Sequence, residues 1–228
     1  MDARDGRRKR LPREEREKLI LEEAVRFFAE AGFEGQTRAL ADRLGVTQPL
    51  LYRYFPDKET LIDRVFDEVY LKRWRPEWAA QLRNRQRPLT DRLIDFYRAY
   101  CATIFKPEWV RIFMFAGLKG EKINDRYLEL VHQNILEPLC GEFRADAGQP
   151  SPLDLPIDDT EIGLAWALHG SIFHIAVRKW IYKLPMPDDI DSLIETTVRS
   201  FMQGCVTSTR HALATRPERD KAGLLAAD

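Results

Sequence analysis

Within the stretch TRALADRLGVTQPLLYRYFPDKETL, Thr37 to Leu61, the residues Gln48, Pro49, Leu50, Tyr52 and Arg53 crowd an amide, apolar groups, a phenol and a guanidinium together, with Tyr54 beside them. An amide can pair with an adenine edge, apolar groups can meet a thymine methyl, and hydroxyls and guanidinium can reach phosphate. That combination suits the major groove of duplex DNA. Taken singly, each residue has a plainer reading: Tyr52 as core, Leu50 as a stray surface leucine, Lys58 as an ordinary helix-start lysine. Jointly those readings fail, because a helix face meant only for solvent is normally charged.

Such groups must be held outward by a short helix pinned from behind, and the flanking residues meet that demand. Ala41 is small where two helices would cross, and four positions later Gly45 supplies a backbone able to take positive φ in the turn. Leu40, Leu44, Val46, Leu51 and Phe55 have the spacing to pin the second helix, with Leu51 and Phe55 inward at i, i+4. Thr47 is its expected N-cap, and Pro49 costs little in a first turn whose amides lack intrahelical partners. Lys58 sits at the start of the following helix, beside amides that favour an anion, with Asp57 as N-cap and Glu59 in the first turn. Helices are predicted over 12–31, 38–44, 48–54 and 57–74. The first carries Ile20, Ala24, Phe27, Phe28 and Ala31 on one stripe and ends at Gly32.

The segment GFEGQTRALADRLGVTQPLLYRYFPDKETL resembles the TetR family of bacterial transcriptional regulators, from about Leu19 to Leu61. Shared features are a Gly-aromatic end to the first helix, a Thr-initiated second helix with a Leu-Ala pair, Gly-Val in the turn, and Leu-Tyr-x-x-Phe followed by Lys-x-x-Leu. The resemblance implies that Arg38, Gln48, Pro49 and Leu50 face bases while Thr37, Tyr52, Tyr54 and Lys58 hold phosphates. Two features depart from the family pattern. The segment between Gly35 and Arg38 is one residue shorter, leaving Gln36 or Thr37 to cap the second helix, and Leu50 stands where a small or hydroxylated residue is usual.

The rest of the chain is also read as helical, over 88–105, 107–117, 122–146, 158–182 and 188–213, with Arg75-Pro76 and the run QLRNRQRP as a connection. The expected fold is all-α. It comprises a basic arm and three-helix helix-turn-helix DNA-binding domain over 1–57, a larger helical ligand-binding and dimerisation domain over 58–214, and a disordered tail over 215–228. TEIGLAWALHGSIFHIAVRKWIYK is apolar almost all round, and its Gly163, Ala167, Gly170 and His174 form a narrow stripe permitting close approach. A helix apolar on every side must be covered on every side, so a second subunit is expected, packed through this helix and the one over 188–213. A twofold dimer would read a palindromic operator whose half-sites lie roughly 34–36 Å, or a multiple of that, apart. Tyr97, Tyr100, Trp109, Phe113, Tyr127, Trp166, His169 and Phe173 can form a packed aromatic core or line an apolar cavity with polar tips. The family resemblance implies the cavity, holding a small apolar or aromatic effector that shifts the fourth helix.

Composition narrows the alternatives. The 228 residues carry no formal net charge, but the first thirteen hold six basic residues against Asp2 and Asp5, a tail or a phosphate-contacting arm. Cys101, Cys140 and Cys205 are odd in number and far apart, without CxxC, which suggests no disulfide framework, no zinc site and a reducing cytoplasm. The uncharged run Ile162 to Val177 falls short of the roughly 20 residues of a bilayer span. Glu129 and His132 have a di-iron-like i, i+3 spacing without a second such pair, and His169 and His174 lie about 140° apart on a helix. Neither enzyme activity nor any metal or cofactor is expected.

Overall fold

The computed structural model describes residues 12–119 and 124–215. Most of the basic arm (residues 1–11) and nearly all of the tail (216–228) lie outside the described residues, and with them the expected phosphate contacts of the arm and disorder of the tail. Among the described residues every element is helical: α1 Arg13–Ala31, α2 Thr37–Leu44, α3 Gln48–Tyr52, α4 Lys58–Val69, α5 Glu77–Arg83, α6 Leu89–Ile104, α7 Pro107–Lys119, α8 Asp125–Val131, α9 Glu137–Asp146, α10 Asp159–Trp180 and α11 Ile190–Ala214.

Helix α1 buries Ile20, Leu21, Ala24, Phe27 and Phe28. Ala31, expected on that stripe, is exposed, whereas Ala29, Gly32 and Phe33 around it are buried. Gly32 has φ +66° and ψ −174°, a conformation essentially confined to glycine, while its N–H still bonds Phe28 O. On this platform α1 packs against α2, α4 and α7, and α2 packs against α3.

Four boundaries differ from the sequence expectation. Helix α3 ends at Tyr52, not 54, and α4 ends at Val69 in a single 3-10 turn, Leu71–Arg73, before the chain becomes extended at Trp74 ahead of Pro76. The presumed connection contains α5, which buries Trp78 and Leu82. The single helix expected over 122–146 is interrupted by a π turn, His132–Leu136. Pro138 stands two residues past its end; proline offers no N–H and crowds the carbonyl four residues back, and widening the register by one residue relieves both.

The larger bundle is built of α10 against α11, α9 and α7, α11 against α6 and α9, and α5 against α6 and α9. Two buried arginines fix its joints. Arg144 is fully buried, donates to both carboxylate oxygens of Glu161 at 2.6 Å, and also reaches the carbonyls of Pro150, Ser151, Leu155 and Pro156, closing the loop before α10. Arg92 donates to Glu142 at 2.7 Å, tying α6 to α9.

Candidate nucleic-acid interface and aromatic chamber

The bend that presents α3 is a complete glycine stop. Gly45 takes φ 62° and ψ 35°, its N–H bonds Asp42 O at 3.1 Å, and the next amide, Val46, bonds Ala41 O at 3.0 Å. These two bonds satisfy carbonyls that the end of α2 would leave open, and only a left-handed residue lets both form. Leu40, Ala41, Leu51 and Phe55 are all buried, with Leu44 and Val46 half-buried against the same core. Thr47 holds the N-cap position in extended conformation, its hydroxyl making no cap bond, and Pro49 falls in the first turn. Gln36, not Thr37, occupies the cap position of α2, without a side-chain bond.

Arg38, Thr47, Pro49, Tyr52 and Arg53 are exposed, and Gln48, Leu50, Tyr54 and Lys58 half-buried, Tyr54 against the core. Thr37 differs: it is only 7% exposed. Its hydroxyl lies 2.8 Å from the Tyr52 hydroxyl and accepts from Gln48 Nε2 at 2.9 Å, and Gln48 Nε2 also reaches Tyr52 Oη at 3.3 Å. No local sequence pattern signals this triangle, since its corners are brought together only by the crossing of α2 and α3. At the start of α4, one amide expected to be free is taken, because Asp57 accepts from Thr60 N at 2.6 Å and that bonding holds its carboxyl below the usual range. An anion there would meet Lys58 beside a carboxylate.

The reading unit is braced against the rest of the chain. Arg43 on α2 pairs with Glu30 at 2.8 Å and Glu23 at 3.0 Å on α1, and the Arg43 bond holds the Glu30 carboxyl below its ordinary value. Arg111 on α7 donates to Ala29 O and Glu30 O, the open carbonyls at the end of α1, and lies over the Phe115 ring. That ring in turn touches Gly32, where a Cβ would come within 3.2 Å of it.

On its other side α7 enters an array of rings. Trp109 and Phe113 stack with centroids 5.3 Å apart and planes 10° from parallel, and each meets Tyr127 and Phe173 edge-on. Tyr97, Tyr100, Trp109, Tyr127 and His169 are buried, Phe113 and Phe173 half-buried. Trp166 departs from the expected set. It is 37% exposed on the outer face of α10 and meets only one ring of the set, His169, at 5.6 Å, because its helical position matches Gly163 and Gly170 rather than the inward Ile172. Tyr70, Trp74 and Trp78 join the array instead. Pro76 followed by Glu77, with Trp78 and Leu82 at i, i+4, is the helix-start signal that could have placed Trp78.

Polar tips in the array are dry. Tyr100 and Tyr127 share a 2.5 Å hydrogen bond, Tyr70 donates to Trp109 O at 3.2 Å, and Tyr97 Oη lies 3.5 Å from His169 Nδ1. Burial pushes the Tyr97 and Tyr100 phenols well up and the His169 imidazole down to about 4, so that it is neutral at pH 7. Trp109 Nε1 is buried without a partner among the described residues. Glu129 accepts from Gln133, and His132 Nδ1 lies 3.3 Å from Glu137. Among the described residues no helix is long and apolar enough to cross a membrane.

Residues 20–65 match the family model described as bacterial regulatory proteins, tetR family. Over those residues the chain is thus similar to the N-terminal domain of that family. Similar solved structures include a TetR-like transcriptional regulator from Rhodococcus sp. RHA1 (20% identity, TM-score 0.56, covering 86% of this chain and 100% of that one). AmtR from Mycobacterium smegmatis is similar at 18% identity and TM-score 0.59, covering 92% and 99%. A tetR-family regulator from Streptomyces coelicolor follows at 18% and 0.58, covering 91% and 92%. At these identities the likeness is one of fold. No curated protein matches the chain in sequence.

Proposed function

We propose that this chain is a regulator of the TetR family: a cytoplasmic, homodimeric repressor whose α3 enters the major groove of a palindromic operator, and that a small apolar or aromatic effector in the ring array releases it. The DNA-binding unit ends near residue 57, and residues 58–214 bind effector and partner. The outer face of α3 supports this reading, because the left-handed bend at Gly45 and the buried Leu51 leave Tyr52 exposed and Gln48 and Leu50 partly open on a short helix. Arg38 faces bases beside it, and Arg53 flanks it for backbone contact.

The dimer reading rests on α10. Gly163, Trp166, Ala167 and His174 are exposed and Gly170 half-buried along one uncharged stripe, and a Cβ at Gly163 or Gly170 would meet nothing within 4 Å. A solvent face would be charged; this one suits close approach of another helix.

Release would travel by α7 and α4. Trp109 and Phe113 face the rings while Arg111 and Phe115 of the same helix hold the end of α1, and Tyr70, just past α4, stacks on Phe66 and contacts Trp109. An effector that reversed a 1:99 balance of DNA-binding and released forms would need about 5.5 kcal/mol of preference between them. A second reading, an effector-independent repressor or activator, is favoured by the close stacking of Trp109 on Phe113.

Selection of duplexes from a randomised library should enrich a palindrome with half-sites about one helical turn, or a multiple, apart. No enrichment would overturn the proposal. A raised melting temperature with small aromatic compounds, together with release of the selected duplex, supports the effector reading; release by none of them supports the second.

A further inference from the structure

The triangle of Thr37, Gln48 and Tyr52 has a consequence for which base is read. Three separations, 2.9, 3.3 and 2.8 Å, place both hydroxyl oxygens on one side of Gln48 Nε2, subtending roughly 50° at the nitrogen. The two hydrogens of an amide NH2 diverge by about 120°, so a single N–H serves both oxygens. The other N–H and the Oε1 acceptor stay uncommitted. Thr37 is anchored, being buried at the first position of α2, so the hydroxyl that holds Gln48 belongs to a rigid element and not to another mobile surface side chain. A glutamine free in solvent would sample its rotamers and lose that freedom on binding; this one is already restrained.

We infer that Thr37 is a positioning residue for sequence recognition: with Tyr52 it fixes the Gln48 amide so that its remaining N–H and Oε1 meet a base edge offering an acceptor beside a donor. In the major groove adenine presents that pair, N7 next to the N6 amino group. Tyr52 links the two kinds of contact, since a hydroxyl that orients Gln48 from one side can donate to a phosphate from the other. The inference rests on the reading of α3 as the base-contacting helix, and it assigns Thr37 an indirect role where the family pattern implies a phosphate contact.

The test is duplex selection from a randomised library by the full chain and its Gln48→Ala, Thr37→Val, Thr37→Ser and Tyr52→Phe variants, followed by affinities for the selected site and for each single-base change in it. Gln48→Ala should abolish preference at one position per half-site, an adenine, worth about tenfold or more. Thr37→Val, which keeps the shape and removes the hydroxyl, should lose most of the same preference while affinity for unrelated duplex stays within about twofold, and Thr37→Ser should restore it. Tyr52→Phe should weaken the preference at that adenine and also lower affinity for every duplex. Loss of preference in Gln48→Ala with none in Thr37→Val, or a Thr37→Val defect equal on all sequences, overturns the positioning role. Absence of any position-specific loss in Gln48→Ala overturns the base-reading assignment itself. Unchanged melting temperatures of the variants separate these outcomes from misfolding.

Discussion

The outer face of α3 and the ring array between α6, α7 and α10 are both rich in tyrosine and polar tips, yet they treat those tips in opposite ways. On α3, Gln48 and Tyr52 touch water and bond one another, with capacity left for a partner. In the array, the Tyr100, Tyr127 and His169 polar atoms are removed from water and mutually paired or kept neutral. A surface of the first kind suits a partner made of polar edges and charges, whose groups replace water one for one. A site of the second kind suits a ligand that is mostly apolar, because any polar group it brings must find one of a few fixed partners.

If desolvation is what separates the two regions, substitutions should rank accordingly. The largest effect belongs to Arg144→Ala, which strands the buried Glu161 carboxylate; about 3–5 kcal/mol of stability should be lost. Thermal denaturation should then show a fall on the order of 10 °C for a chain of this size. A change within about 2 °C would mean that the pair is hydrated. Next comes His169, held at about pKa 4 in the fold against about 6.5 unfolded. The unfolded chain binds the proton first, so stability is full above pH 6.5 and falls as the pH drops toward 4. Between pH 7 and pH 5 the loss should be about 2 kcal/mol, and His169→Gln should remove that component. Equal pH dependence in both proteins would place the imidazole in water.

Smaller effects sharpen the boundary between the regions. Gly32→Ala forces a side chain into a glycine-only conformation against Phe115 and should cost about 1–3 kcal/mol in denaturant unfolding, with weaker DNA binding because α1 carries the reading unit. Asp57→Ala removes the cap of α4 and should lower the melting temperature by less than Gly32→Ala does. Gln48→Ala should stay within about 0.5 kcal/mol of wild type in stability while impairing DNA recognition, since its side chain serves the surface and not the core. A large stability loss there would erase the contrast.

The parts of this organisation that were legible in sequence are those encoded locally. The Gly45 stop, the inward Leu51 and Phe55, and the Asp57 cap each depend on residues within one or two turns, and so do the bounds of α2, α6, α10 and α11. What escaped needs contacts between distant segments. The bond between Thr37 and Tyr52 is one such contact, because nothing near Thr37 in sequence reveals a tyrosine fifteen residues away across the helix crossing. Trp166 was assigned inward because α10 is apolar on both sides, leaving periodicity no means of choosing which side meets the rings. The π turn depends on Pro138 inside an otherwise continuous helical pattern, and α5 lies where Pro76 and the polar run from Gln81 read as a connection.

The most direct test is a crystal structure of the protein on its selected duplex. The account predicts two copies related by a twofold axis through α10 and α11, each with α3 in a major groove and Gln48 within hydrogen-bonding distance of a base edge. A complex in which α3 faces away from the duplex, or in which Gln48 lies buried against the protein, would contradict it.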